Sequence, residues 1–377
     1  MRRTTEGSTG RLLQLCASYF IFYVITGITV KYFTGKSALG FPGMKETEFL
    51  VYSTLGGTSL CVAVVLVLRW FRSKSTNLVH WGALSFPREY LYIIPSGVCT
   101  AVVIPTTTLM YSLPISVMVA MVIMRASIIV ISRAIDAVQI RQGILHKKVY
   151  VEENIGVVFA LIAASVQIFW VQEGSFDFAR SGVAMGILGS YIVAYTIRIY
   201  IMNYYKNTRG KGVKLDNKWF FSIEQIAACI TMVAVGLFLF HGTLRLGWES
   251  TQLDLFRGAI TNPRPLWQWA IVAGMAYGMV AFFSVFIFMF KGRTATFAGL
   301  VNRLTSLVAG TTATLVFYLA FRGSFPKLQD WISLVFIFIA VGFLTVAERK
   351  RVAELVAAHE IELASSEAAS AGAPARS

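Results

Sequence analysis

Charge is scarce in this chain. Asp, Glu, Lys and Arg make up 14% of its 377 residues, about half of what a soluble domain carries. A water-soluble protein of this length is excluded. Histidine and cysteine are scarce too, four of each. Cys16, Cys61, Cys99 and Cys229 all fall in apolar stretches, without the spacings of a zinc site or a disulfide framework, and read as small apolar fillers. His80, His146 and His241 sit in or beside polar connections and His359 near the end, so no metal cluster forms and no cofactor is implied. There is no P-loop and no Ser–His–Asp candidate, and the connections are too short for a catalytic domain. The chain reads as a non-enzyme without an ATP site, which excludes a self-powered pump.

What is present is apolar length. Hydrophobic residues make up 56% of the chain and the mean hydropathy is +0.65. Ten stretches approach the roughly 20 residues a helix needs to cross the hydrocarbon: 12–33, 48–70, 90–112, 115–138, 154–171, 182–204, 219–240, 266–290, 295–320 and 328–347. The short alternating segments of a membrane β-barrel are not seen. The expected fold is an all-α integral membrane protein of ten transmembrane helices. The first stretch follows Arg2, Arg3 and Arg11 but is too long for a signal-peptide core and lacks a cleavage site, so it reads as retained. Trp70, Trp170, Trp219, Trp267, Trp269 and Trp331 fall at span ends, where an indole keeps its N–H wet.

The net charge of +15 raises the question of nucleic acid. Its distribution answers it. With the N-terminus in the cytoplasm, about 20 loop Lys and Arg fall inside and 8 outside, a positive-inside bias with both termini cytoplasmic. Membrane lipids are the expected macroscopic partner, and nucleic acid is not. Short loops and the Ala/Ser-rich end suggest a bacterial inner membrane.

The second five spans echo the first five. Ala17-Ser18-Tyr19-Phe20, with Tyr23 following, lies over Gly189-Ser190-Tyr191-Ile192, with Tyr195 following, at an offset of 172 residues. Met124-Arg125-Ala126-Ser127 lies over Asn302-Arg303-Leu304-Thr305 at 178. An odd number of spans per repeat inverts one half relative to the other, a pattern of alternating-access transporters. The expected organisation is a cytoplasmic segment 1–11, a first five-helix repeat 12–171, a second 182–347, and a cytoplasmic tail 348–377, amphipathic to 363 and disordered beyond.

A few polar residues lie where lipid would penalise them. Arg125 and Arg303 fall roughly 12–15 Å deep from opposite faces. A central arginine costs about 2.5 kcal/mol or more on insertion scales, so each needs compensation. Two guanidiniums near a two-fold axis would bind an anion, because the planar fork bonds two oxygens at once. The competing reading makes both structural. Ser132 and Asp136 share the helix face of Arg125, and Asn302 and Thr305 flank Arg303. Tyr19, Tyr23, Tyr191 and Tyr195 either line the site or pack helices. Thr107, among the threonines after Pro105, lies on a helix that Pro95 and Pro105 would kink. Arg198 and Glu224 are expected near the cytoplasmic side as an ion pair or snorkelling to the interface, and Arg133 with Asp136 as an i,i+3 pair. The alternative makes Asp136 or Glu224 a proton-coupling carboxylate. Gly182/Gly186 and Gly274/Gly278 are four apart, a spacing that fits close helix packing more than a dimer motif. Monomer and homodimer both stay open.

Segments 117–136 with 154–169, and 296–314 with 331–346, each pair a pore-side helix with an aliphatic last helix. On these segments and on Arg125 and Arg303 the chain resembles the drug/metabolite transporter superfamily in its ten-span form. The nucleotide-sugar and triose-phosphate branches are similar in placing basic residues in spans four and nine, and an EamA-type arrangement is similar in its halves. Here span nine holds Asn302-Arg303 instead of a Lys-Arg pair. The resemblance therefore implies a secondary transporter of a small organic anion, phosphorylated ones included, more strongly than any named substrate. An exporter of neutral or zwitterionic metabolites, a lipid flippase component, and a non-transporting scaffold are the alternatives.

Overall fold

The computed structural model describes the backbone of residues 9–72, 78–81, 84–145, 149–170, 176–208, 216–290 and 295–371. Side chains are described over the same stretches except 9, 81, 84, 167, 168, 295–300, 348 and 355–371. Much of the basic 206–218 loop, with Lys291 and Arg293, lies outside the described residues.

The long helices are α1 (Thr9–Thr34), α2 (Glu46–Val67), α3 (Tyr90–Ser112), α4 (Val117–Arg141), α5 (Val151–Phe169), α6 (Gly182–Asn207) and α7 (Asn217–Leu237). A π-turn (Phe238–Gly242) carries α7 into a last short turn, α8 (Thr243–Arg245). Then follow a surface helix α9 (Thr251–Thr261), α10 (Trp267–Phe288), α11 (Ala295–Phe321) and α12 (Leu328–Ala371). Among the described residues nine helices are long and apolar enough to cross a membrane. The protein is an all-α, multi-pass membrane protein. Helices suit this setting because each satisfies its own backbone groups away from water. Their exposed starts are capped: the Ser116, Ser181 and Asp216 side chains accept from backbone N–H groups three residues on.

α2 packs on α10, α3 on both α6 and α7, α1 on α10 and α11, and α4 on α11, α5 and α6. α5 packs on α12. The α2–α10 seam is closed by glycine. A Cβ at Gly56 would stand 1.9 Å from the Ile271 carbonyl oxygen, and one at Gly274 would stand 2.1 Å from that of Ser53. Small residues let helix backbones meet in this way where lipid offers no hydrophobic drive. Gly274 and Gly278 thus serve packing inside the chain, while Gly182 and Gly186 face open space. α3 stays helical through Pro95 and Pro105. Thr106 and Thr107 bond the carbonyls of Val102 and Val103, both at 2.7 Å.

Several expectations change. The α2–α3 connection holds a two-stranded hairpin, β1 (Leu78–Trp81) with β2 (Leu84–Pro87), pairing Leu78 with Pro87. Trp219 does not sit with a wet indole. It is 1% exposed, packs on Tyr90, and its N–H has no partner. The tail is helical through Ala371 instead of losing structure at 364, and 372–377 lie outside the described residues. α12 has 44 residues, about 66 Å at 1.5 Å each, twice the hydrocarbon thickness. Its continuation is fastened to the start of α5 by Arg351 with Glu153, both buried, and Lys350 with Glu152.

Candidate functional site: the buried arginine and tyrosine cluster

α4 and α11 lie side by side, and each brings one arginine to the interior. Arg125 is 3% exposed and Arg303 1%. Arg125 Nη2 donates to the Tyr23 hydroxyl and, at 3.5 Å, to that of Tyr19. Its guanidinium carbon stands 5.3 Å from the centre of the Tyr23 ring, a favourable place for a cation. Tyr23 and Tyr111 share a hydroxyl–hydroxyl bond of 2.7 Å. Arg303 crosses to α4, where Nη2 donates to Ser132 Oγ at 2.5 Å. Tyr191 and Tyr195 of α6 lie close enough to act electrostatically on Arg303, as does Arg125 itself. Tyr191 likewise acts electrostatically on Arg125. The two guanidiniums therefore share one tyrosine-rich interior.

Neither is neutralised by contact. Among the described residues no carboxylate pairs with Arg125 or Arg303. Nε of each is buried without a hydrogen-bond partner. Asp136, fully buried on the same face of α4, attracts Arg303 from farther away. With Asp136 ionised the cluster still holds a net positive charge. A buried charge without a counter-ion costs several kcal/mol, so this interior is suited to an anion.

Asn302 joins the cluster from α11. It accepts from Tyr19 at 3.1 Å and donates to Ser284 Oγ at 3.0 Å, linking α1, α11 and α10. Thr305 and Thr107 return their hydroxyls to their own helices, at 2.8 Å to Val301 and 2.7 Å to Val103, and Thr107 also meets Tyr277, which acts electrostatically with Tyr23, Tyr195 and Arg125. Arg133 does not pair with Asp136 one turn on. Its Nε turns to Asn154 Oδ1 of α5, at 3.0 Å.

Arg198 and Glu224 form an ion pair beside the cluster, the Arg198 guanidinium carbon standing 5.8 Å from the centre of the Tyr195 ring. Arg198 grips Glu224 through Nε at 2.8 Å and Nη2 at 3.0 Å, and Ser96 of α3 adds a bond of 2.7 Å. All three are buried, so neither charge snorkels to the interface. Tyr111, Ser284 and Ser96 gave no signal in sequence. Tyr111 has no tyrosine near the repeat offset, and serines in spans are common.

No family model matches the chain, and no curated protein does. Among solved structures, one described only as the crystal structure of a protein superposes with a TM-score of 0.50 at 14% identity, covering 90% of this chain and 99% of that one. That likeness concerns the fold alone.

Proposed function

We propose that this chain is a secondary transporter moving a small organic anion, phosphorylated ones included, through a site containing Arg125 and Arg303. The observation that carries the reading is the pair of buried guanidiniums without a carboxylate partner among the described residues. They stand at equivalent positions of the sequence echo.

The helix packing supports two inverted five-helix repeats and ten spans, with α5 as the fifth. Exchanging the first five long helices with the second five turns α2 on α10 into α7 on α3, α3 on α6 into α10 on α1, and α1 on α11 into α6 on α4. All six contacts exist. The contacts α5 on α12, α4 on α11 and α2 on α7 map onto themselves. Resemblance to the drug/metabolite transporter superfamily is consistent with this arrangement, and the charge bias supports cytoplasmic termini.

One observation favours the rival in which the arginines are structural and the solute is neutral: Arg125 has two tyrosine acceptors and Arg303 a serine. A thermal-shift screen decides between them. Purified protein is scanned against phosphorylated sugars, nucleotides, amino acids and lipid phosphates, since a ligand of the native state raises apparent stability. Anions should raise the midpoint in wild type and not in Arg125→Ala. Stabilisation by neutral solutes alone, unchanged in that variant, would overturn the anion reading.

A further inference from the structure

A cavity of about 410 Å³ opens at the end of the molecule where α3 gives way to α4 and α11 to α12. That volume suits a small ligand. Its walls include Lys31, near the end of α1, the capping Ser116 of α4, Thr314 of α11, and Lys327 and Asp330 at the start of α12. We propose that this cavity is a second, peripheral anion site, in which Lys31 holds the anion on its way to Arg125. The proposal rests on the anion-transport reading above.

The donor inventory of Lys31 comes first. Its Nζ donates to the carbonyl oxygens of Leu113 at 3.0 Å and Ile115 at 2.7 Å. An ammonium has three donors. Two are used, both on neutral acceptors, and the group lines the cavity. Among the described residues no carboxylate pairs with Lys31. The two carbonyls aim the cation without cancelling it, and Glu46 at the start of α2 attracts it without forming an ion pair. The one carboxylate of the lining, Asp330, accepts the Lys327 backbone N–H at 3.0 Å, as a cap of its own helix. Lys327 adds a second positive charge, so the lining as a whole is positive.

Position ties this cavity to the central cluster. The first turn of α4 forms part of its wall, and Arg125 lies on the same helix, nine residues past Ser116, about 13 Å along the axis. Thr314 accepts the Met118 N–H at 3.2 Å and so fastens α11 to that turn. Below it come Met121 and Tyr111, joined by a 3.5 Å contact from the tyrosine hydroxyl to the sulfur. Tyr111 in turn bonds Tyr23, which bonds Arg125. Met121, a flexible side chain, Tyr111 and Tyr23 thus lead in sequence from the turn at the cavity wall to Arg125.

A purely structural role for Lys31 would be to satisfy the last carbonyls of α3. Binding separates the two. Full-length protein in lipid nanodiscs is titrated calorimetrically with inorganic phosphate, as wild type, Lys31→Gln and Arg125→Gln/Arg303→Gln. Wild type should show two sites. Lys31→Gln should weaken one roughly ten- to a hundredfold, the loss expected for a charged hydrogen bond, and the double variant should lose the other. In parallel, a water-soluble amine reagent is applied to wild type and Lys31 modification is read by mass spectrometry. Phosphate should slow it, and this arm needs no variant to fold. Unchanged Lys31 modification with phosphate, or two intact sites in a folded Lys31→Gln, would overturn the peripheral site. If the double variant loses all binding while Lys31 is unprotected, the central reading stands and this one falls. If Lys31 is protected while the double variant binds and transports as wild type, the central reading falls instead.

Discussion

Arg198 and Arg303 are both buried arginines, yet they are met in opposite ways. Arg198 is held by both oxygens of Glu224, with Ser96 completing the acceptor. Arg303 has one serine hydroxyl and keeps Nε unpartnered. The first arrangement closes on itself and joins α3, α6 and α7. The second leaves a buried guanidinium that no carboxylate meets among the described residues. The sequence echo sharpens the contrast. Arg125 and Arg303 correspond, as do the tyrosine pairs of α1 and α6, but the offsets set Thr26 against Arg198 and Ser53 against Glu224. Among the described residues, the Thr26 and Ser53 hydroxyls bond carbonyls of their own helices, Phe22 and Leu50. At these corresponding positions the two halves of the sequence share the central arginine and not the Arg198–Glu224 ion pair.

The largest expected effect falls on transport. Arg125→Ala or Arg303→Ala should cut anion uptake into proteoliposomes at least about a hundredfold, the scale of losing a desolvated charged contact. Lysine should rescue poorly, lacking the bidentate fork. The unfolding midpoint should stay or rise, because an uncompensated buried charge is removed. Normal uptake by both alanine variants would remove the distinction between the two kinds of arginine.

Glu224→Ala should behave in the reverse manner. It leaves Arg198 buried and unpaired, which costs about 3–5 kcal/mol, read as a lower unfolding midpoint in detergent. Arg198→Met combined with Glu224→Leu should regain most of that loss. If the single variant is as stable as wild type, the pair is not a fastening.

Glycine substitutions test the frame that sets both sites. Gly56→Val or Gly274→Val drives a side chain into the facing backbone of the α2–α10 seam and should cost about 1–3 kcal/mol. Gly182→Ala and Gly186→Ala meet nothing within 4 Å and should change stability by less than about 0.5 kcal/mol.

The smallest expected effect is that of Asp136→Asn on coupling. If the carrier exchanges substrates or equilibrates them, an imposed pH gradient should not drive accumulation in wild type, and the Asn variant should match it in this respect. Gradient-driven accumulation that the variant loses would make Asp136 a coupling carboxylate and move it from the background of the site to its centre.

The sequence by itself determined that this is a membrane protein of long helices, because apolar length and scarce charge are properties of a segment taken alone. It also marked Arg125, Arg303, Asn302 and the four tyrosines of α1 and α6, because a polar group deep in an apolar run is costly wherever the helix ends up. It did not determine which charge meets which partner. Arg198 finds Glu224, Arg133 finds Asn154 instead of Asp136, Lys31 reaches back to the carbonyls of Leu113 and Ile115, and Trp219 turns inward. Nor did the composition of the tail disclose that helix continues through Ala371. Those outcomes depend on how far each helix is rotated and how deep it sits against its neighbours. Rotation and depth are set by close contacts such as the Gly56–Ile271 and Gly274–Ser53 approaches, which join segments some 220 residues apart and leave no mark on the periodicity of either helix.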